Sequence, residues 1–273
     1  MDVIGIDFTS RPSHGKPLTC IRCKFDGNSL QEFSLEEWPQ FEHFENALQT
    51  PGPWIAGVDF PFGQSRKFIE NIAWPNDWAG YVKHAGSLGR QGFRDALDGY
   101  RQNRPFGDKE HRRKTDIAAS SISPQKLFGV PVGLMFFEGA QRLLRSDVSI
   151  PGLKVGDPDR IVVEAYPGLL ARQLIGRTGY KSDNIRKQSG VHLRNRRIIL
   201  ERILSGGLGD HYKFHVKASQ NIIEDLIKDA SGDRLDALLC AIQAAWSWSM
   251  RDINFGFPNG FDALEGWIAT ATE

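Results

Sequence analysis

The chain has little sulfur: three cysteines and three methionines in 273 residues. Cys20, Cys23 and Cys240 are an odd and sparse set, too few for a disulfide framework, and fit free thiols in a reducing compartment. Cys20-x-x-Cys23 lies in a strand-like run, where residues three apart face opposite ways, so it does not read as a zinc or redox pair. Long apolar runs are also missing. None approaches the roughly 18–20 residues that span a bilayer. The N-terminus enters a strand pattern directly, without the basic and apolar regions of a secretory leader. Together these absences predict a cytoplasmic protein with no membrane partner. The formal net charge is only +1, so an anionic ligand would have to be held by a local patch.

Charge of one sign is absent locally. From Phe25 to Ser65 there is no Lys or Arg, while Asp26, Glu32, Glu36, Glu37, Glu42, Glu45 and Asp59 are acidic. From Arg172 to Arg202 the balance reverses, and Lys181, Arg186, Lys187, Arg194 and Arg197 could track a phosphate backbone or simply form a solvated helix face. A second basic cluster surrounds Arg113 and Lys114.

Two strand-like runs rhyme. Gly5-Ile6-Asp7-Phe8 and Gly57-Val58-Asp59-Phe60 each deliver a carboxylate at the end of a buried strand. Side by side they are costly unless a cation or a shared proton separates them. Residues 18–25 and 30–35 read as two further strands around the turn Asp26-Gly27-Asn28, and Trp38 to Leu48 has helical spacing. A fifth strand at 160–165 carries Glu164. Residues 64–150 read as an insertion with short helices at 64–72 and 91–98, a polar loop at 104–127 and a buried helix from Val132 to Leu144. Helices follow near 168–176 and 190–205. A last helix begins at Ser231, a predicted N-cap, with Asp233 and Asp236 on one face of its first turns.

This order predicts an α/β domain with a mixed five-stranded sheet, order 3-2-1-4-5, flanked by helices. The fourth strand then lies parallel beside the first, and the carboxylates meet at the sheet's carboxyl end, where open α/β sheets bind ligands. Oxygen-only ligands suit Mg²⁺ or Mn²⁺ rather than Zn²⁺. A cation held by Asp7, Asp59, Asp236 and Glu164 is therefore expected. An arginine or lysine lodged between Asp7 and Asp59 would argue against it. Glu164 has the alternative of pairing with an arginine behind the site, and Asp233 that of favouring the helix dipole.

The segments Ile6-Asp7-Phe8-Thr9-Ser10, Val58-Asp59-Phe60-Pro61, Glu164-Ala165-Tyr166-Pro167 and Asp233 through Ala241 occur in an order that resembles a family of predicted RNase H-like nucleases. The resemblance covers most of the chain. Acids on the first and fourth strands and an Asp-x-x-Asp at the last helix also resemble Holliday-junction resolvases, matching Asp7, Asp59, Asp233 and Asp236, whereas Glu164 has no counterpart there. The resemblance implies an RNase H-like fold, metal-dependent phosphodiester cleavage and a nucleic-acid partner, with all five acids catalytic. In this family an Arg-x-Thr-Asp stretch also occurs near Arg113, Thr115 and Asp116, which are expected with Thr9 and Ser10 to contact substrate. Two other functions fit less well. A phosphotransferase or nucleotide hydrolase of the actin-like and sugar-kinase type would need a duplicated core with glycine-rich phosphate loops. A non-catalytic anion-binding module would not need an intact acidic cluster.

Overall fold

The computed structural model describes residues 1–102, 104–209 and 211–272. The strands are β1 (Asp2–Asp7), β2 (Leu18–Phe25), β3 (Ser29–Trp38), β4 (Trp54–Val58), β5 (Val148–Ser149), β6 (Asp157–Glu164) and β7 (His215–Val216). The helices are α1 (Phe41–Gln49), α2 (Arg66–Asn71), α3 (Trp78–Ser87), α4 (Gly89–Gln102), α5 (Lys114–Ala118), α6 (Val132–Arg145), α7 (Pro167–Ile175), α8 (Gly190–Leu204), α9 (Gln220–Lys228) and α10 (Asp233–Ser249). All seven strands form one mixed sheet of order β5-β6-β4-β1-β2-β3-β7. The five strands legible in the sequence form its middle. The sheet is wider than five because β5 and β7 pair at its edges through two residues each, too few to leave an alternation in the sequence.

Register decides what each strand end presents. β1 runs parallel to β4 with Ile6 beside Val58, and β4 runs parallel to β6 with Val58 beside Glu164. The Asp59 N–H donates to the Ile6 carbonyl at 2.9 Å, one step past the end of β4. Side chains alternate between two cores. Val3, Ile55, Ile161 and Val163 face α7, α8 and α10. Ile4, Ile6, Val58 and Val162 face α1, α3 and α6. The 64–150 segment supplies one face of the main core, through Phe68, Tyr81, Phe93 and Phe136. Trp74 and Trp78 also lie in that core. Cys20 and Cys23 fall in opposite cores, as strand alternation requires.

The long helix α10 lies across β1 and β4 closely enough to require glycine. A Cβ on Gly5 would sit 1.9 Å from the Ala237 carbonyl oxygen, and one on Gly57 would sit 2.4 Å from that of Cys240. Gly5→Ala is expected to force the helix off the sheet and cost about 1–3 kcal/mol or more, read as a lowered urea midpoint. An unchanged midpoint would mean that the helix does not pack there. The predicted cap Ser231 is displaced by one residue. Gly232, at φ 78°, caps α10, while the Ser231 hydroxyl donates to Asp229 at 2.6 Å. Among the described residues, no helix is long and apolar enough to cross a membrane.

Candidate metal centre

Gly5 and Asp7 are two apart on β1, and Gly57 and Asp59 are two apart at the end of β4. The glycines face α10, so alternation turns both aspartates to the same side. Asp236, one turn into α10, completes the group. One carboxylate oxygen from each of Asp7, Asp59 and Asp236 lies within 4.8 Å of the others. Asp7 and Asp236 are 7% and 1% exposed, and Asp59 is half-buried. Burial pushes the Asp7 carboxyl well above its ordinary range; Lys181 opposes this, and Asp233, Asp236 and Asp59 add to it. Burial, followed by the charge of Asp236, pushes Asp59 up to about 8.

Lys181 is the resident counter-charge. Its ammonium donates to Asp236 Oδ2, and the Tyr180 hydroxyl donates to Asp236 Oδ1. The lysine thus binds the helix acid instead of bridging Asp7 and Asp59. Burial works against its charge, but Asp236, Tyr180 and Asp7 more than offset this and hold it firmly as ammonium. Three carboxylates against one ammonium leave a net negative charge when ionised. The loop carrying Tyr180 and Lys181 is anchored from α8. Arg196 donates to the Tyr180 carbonyl at 2.8 Å and Asn195 to that of Gly179 at 2.7 Å. Gly232 lets Lys181 pass, since a Cβ there would lie 2.6 Å from the Lys181 Cβ. Tyr180 escapes a reading of the sequence; the only signal is its place beside Lys181.

Lys181→Met should tighten Mn²⁺ binding by about tenfold or more, because a unit charge at about 4 Å counts for several kcal/mol at an effective dielectric near 20. Calorimetric titration reads this directly. Weaker binding would instead show that the lysine is needed to shape the centre.

Glu164 stands apart from the triad. Register places it level with Val58, and it continues the alternation of Val162, on the sheet face opposite α10. There Arg113 donates to both its oxygens, at 2.5 and 2.8 Å, and the Phe62 N–H adds a bond at 2.9 Å. Burial pushes the Glu164 carboxyl up, and Arg113 pulls it back. The alternative role raised by the sequence, pairing with an arginine, is what the side chain does in this structure.

Arg113, Thr115 and Asp116 are likewise spent on the fold. Arg113 is 1% exposed and also binds Asp116, with Nη2 donating to Oδ1 at 2.9 Å. The Thr115 hydroxyl accepts from the Ile268 N–H at 2.8 Å. The expected polar loop contains α5, and Arg113, Thr115 and Asp116 point inward, whereas Arg112 and Lys114 are exposed. Asp233 is buried but outside the triad; burial raises its carboxyl, with Lys181 and Lys16 opposing. Ser10 is buried, with its carbonyl accepting from Arg90 at 3.0 Å, and Thr9 is half-buried beside it. Arg186, Lys187, Arg194 and Arg197 lie exposed beyond the Lys181 loop and do not reach the carboxylates.

Asp59 and Asp236 of the triad border a cavity of about 360 Å³, whose walls also include Phe60, Met135 and Tyr166 and the paired Arg113 and Glu164. Cys240 lies beneath it as a neutral thiol, its pKa raised first by burial and then by Asp59 and Asp7, and offers no soft ligand. An all-oxygen, buried site whose carboxylates outnumber its ammonium when ionised has the chemistry to hold a hard divalent cation. Comparisons with family models, curated proteins and solved structures give no match to this chain.

Proposed function

We propose that the chain is a divalent-metal-dependent phosphodiesterase of RNase H-like type that acts on nucleic acid. Asp7, Asp59 and Asp236 would hold Mg²⁺ or Mn²⁺. The observation that carries this reading is their convergence within 4.8 Å from two strand ends and a helix, with Lys181 the one cation paired to them among the described residues. Such an ion activates water and stabilises a leaving oxygen in phosphodiester cleavage. The protein's part is to fix the carboxylates. Asp7 and Asp59 hang from neighbouring central strands, and Asp236 is locked by Tyr180 and Lys181. Lys181 lines the cavity, and its ammonium would meet a phosphate oxygen there. Glu164 and Arg113 support the Phe62 backbone next to Asp59 without entering the centre.

The test is cleavage of labelled single-stranded, duplex and branched oligonucleotides with Mg²⁺ or Mn²⁺. Cleavage should vanish in EDTA and fall by about 100-fold or more in Asp7→Asn, since even outer-shell partners of a metal cost up to that much. Absence of cleavage on every substrate with both ions, or cleavage that survives EDTA, would refute the reading.

A further inference from the structure

We infer that the substrate is an unpaired stretch of a nucleic-acid strand, with one base seated in the cavity beside the acid triad and neighbouring phosphates lying along an arginine groove. The inference rests on the phosphodiesterase reading for which bond is cut, but its evidence lies in other residues.

The cavity has a mixed lining. Asp59, Asp236 and Lys181 and the Arg113–Glu164 pair are charged, whereas Phe60, Val130 and Tyr166 offer apolar surface. A sugar-phosphate has no use for an apolar wall, whereas a base has apolar faces that stack or pack there. A volume of about 360 Å³ lies within the range of small-ligand sites. At the mouth, Ile122 is 43% and Val130 56% exposed, so apolar surface faces water where a ligand would enter.

A second groove, of about 540 Å³, begins where the first ends, the two sharing Gly168 and Tyr180. Arg112, Arg172 and Arg177 line it. Arg112 and Arg177 are exposed and carry no ion pair among the described residues. Arg172 donates to the Ala119 carbonyl at 3.0 Å and to the Tyr166 hydroxyl at 3.3 Å, none of these partners a carboxylate. Guanidinium groups with free donors match phosphate oxygens. A mononucleotide would fill the cavity and leave these arginines idle, whereas a strand satisfies both. A base inside the cavity cannot be paired or stacked in a duplex, so a strand already unpaired avoids the cost of extrusion.

The test is equilibrium binding of the full chain in EDTA, where metal-dependent cleavage is absent, to short labelled DNA and RNA single strands, to their duplexes and to an abasic backbone of equal length. Loss of the bases should weaken binding at least about fivefold, the lower end for one stacked base. Val130→Asp should erase that difference. Arg112→Ala and Arg177→Ala should weaken intact and abasic strands alike and make the salt slope shallower by about 0.7 for each phosphate left without its arginine. Equal binding of intact and abasic strands, a preference for duplex, equal competition by a mononucleotide, or no binding would each overturn the inference. Mn²⁺ titration of the same protein separates the two readings. Mn²⁺ binding without base preference sinks this inference alone. Base preference with no Mn²⁺ bound sinks the metal centre alone.

Discussion

Asp59→Asn will weaken Mn²⁺ binding by more than about 100-fold and, at pH 8, raise the melting temperature of the metal-free protein. The two effects share one cause. Burial and the neighbouring Asp236 push the Asp59 carboxyl up to about 8 in the folded chain, whereas in the unfolded chain it ionises near 4. The folded state therefore binds the proton more tightly. Stability from this group is fully present below about pH 4 and is lost as pH rises through about 8. At about 1.4 kcal/mol per unit, the loss is on the order of a few kcal/mol. Asparagine carries no charge to bury and escapes it. Mn²⁺ supplies the missing positive charge and must displace protons to bind, so its affinity should climb between pH 6 and 8 and its binding should release protons. Thermal melts at pH 5 and pH 8, with and without Mn²⁺, read all of this. A melting temperature lowered by Asp59→Asn at pH 8, or Mn²⁺ affinity indifferent to pH, would show that the triad is not a strained acidic site.

Removing Arg113 is expected to have the largest effect on stability. Arg113→Met leaves Glu164 and Asp116, 3% and 2% exposed, without their shared cation, and breaking a buried pair in this way costs about 3–5 kcal/mol. Arg113 also donates to the Glu265 carbonyl at 3.1 Å, so the C-terminal segment should loosen with it. Glu164→Gln should cost less, because Asp116 still holds the arginine. Mn²⁺ affinity should stay within a few-fold of wild type in Glu164→Gln, since Glu164 lies outside the triad and is held by Arg113 and the Phe62 N–H. Urea melts and Mn²⁺ titrations on the same variants decide it. If Glu164→Gln loses Mn²⁺ with little change in stability, Glu164 is a ligand after all.

Much of this architecture is legible before folding. Two Gly-x-Asp segments on strand-like runs, and an Asp-x-x-Asp opening a long apolar helix, already point to Asp7, Asp59 and Asp236. That Gly5 and Gly57 make room for α10 emerges only in the structure. Alternation separates Cys20 from Cys23 in the sequence and in the fold alike. What escapes is the chemistry between side chains. The donors of the 113–121 segment read as a mouth for substrate because polar residues in an irregular stretch look the same whether they face water or one another. In the fold Arg113, Thr115 and Asp116 are all buried; Arg113 and Asp116 satisfy each other, and the Thr115 hydroxyl accepts from the Ile268 N–H.

Which residue types stand at the strand ends, and that their charges need a partner, follows from the order of residues alone, because strand period and burial cost are local properties. Which carboxylates share that partner is a matter of three-dimensional packing. Glu164 ends its strand level with Val58 and so turns to the face opposite Asp7 and Asp59. A register one residue different would have brought it into the triad. Lys181, far along the chain and drawn in by the anchored 179–181 loop, became the counter-charge instead. Strand register and loop anchoring come from long-range pairing, which no short window of sequence contains.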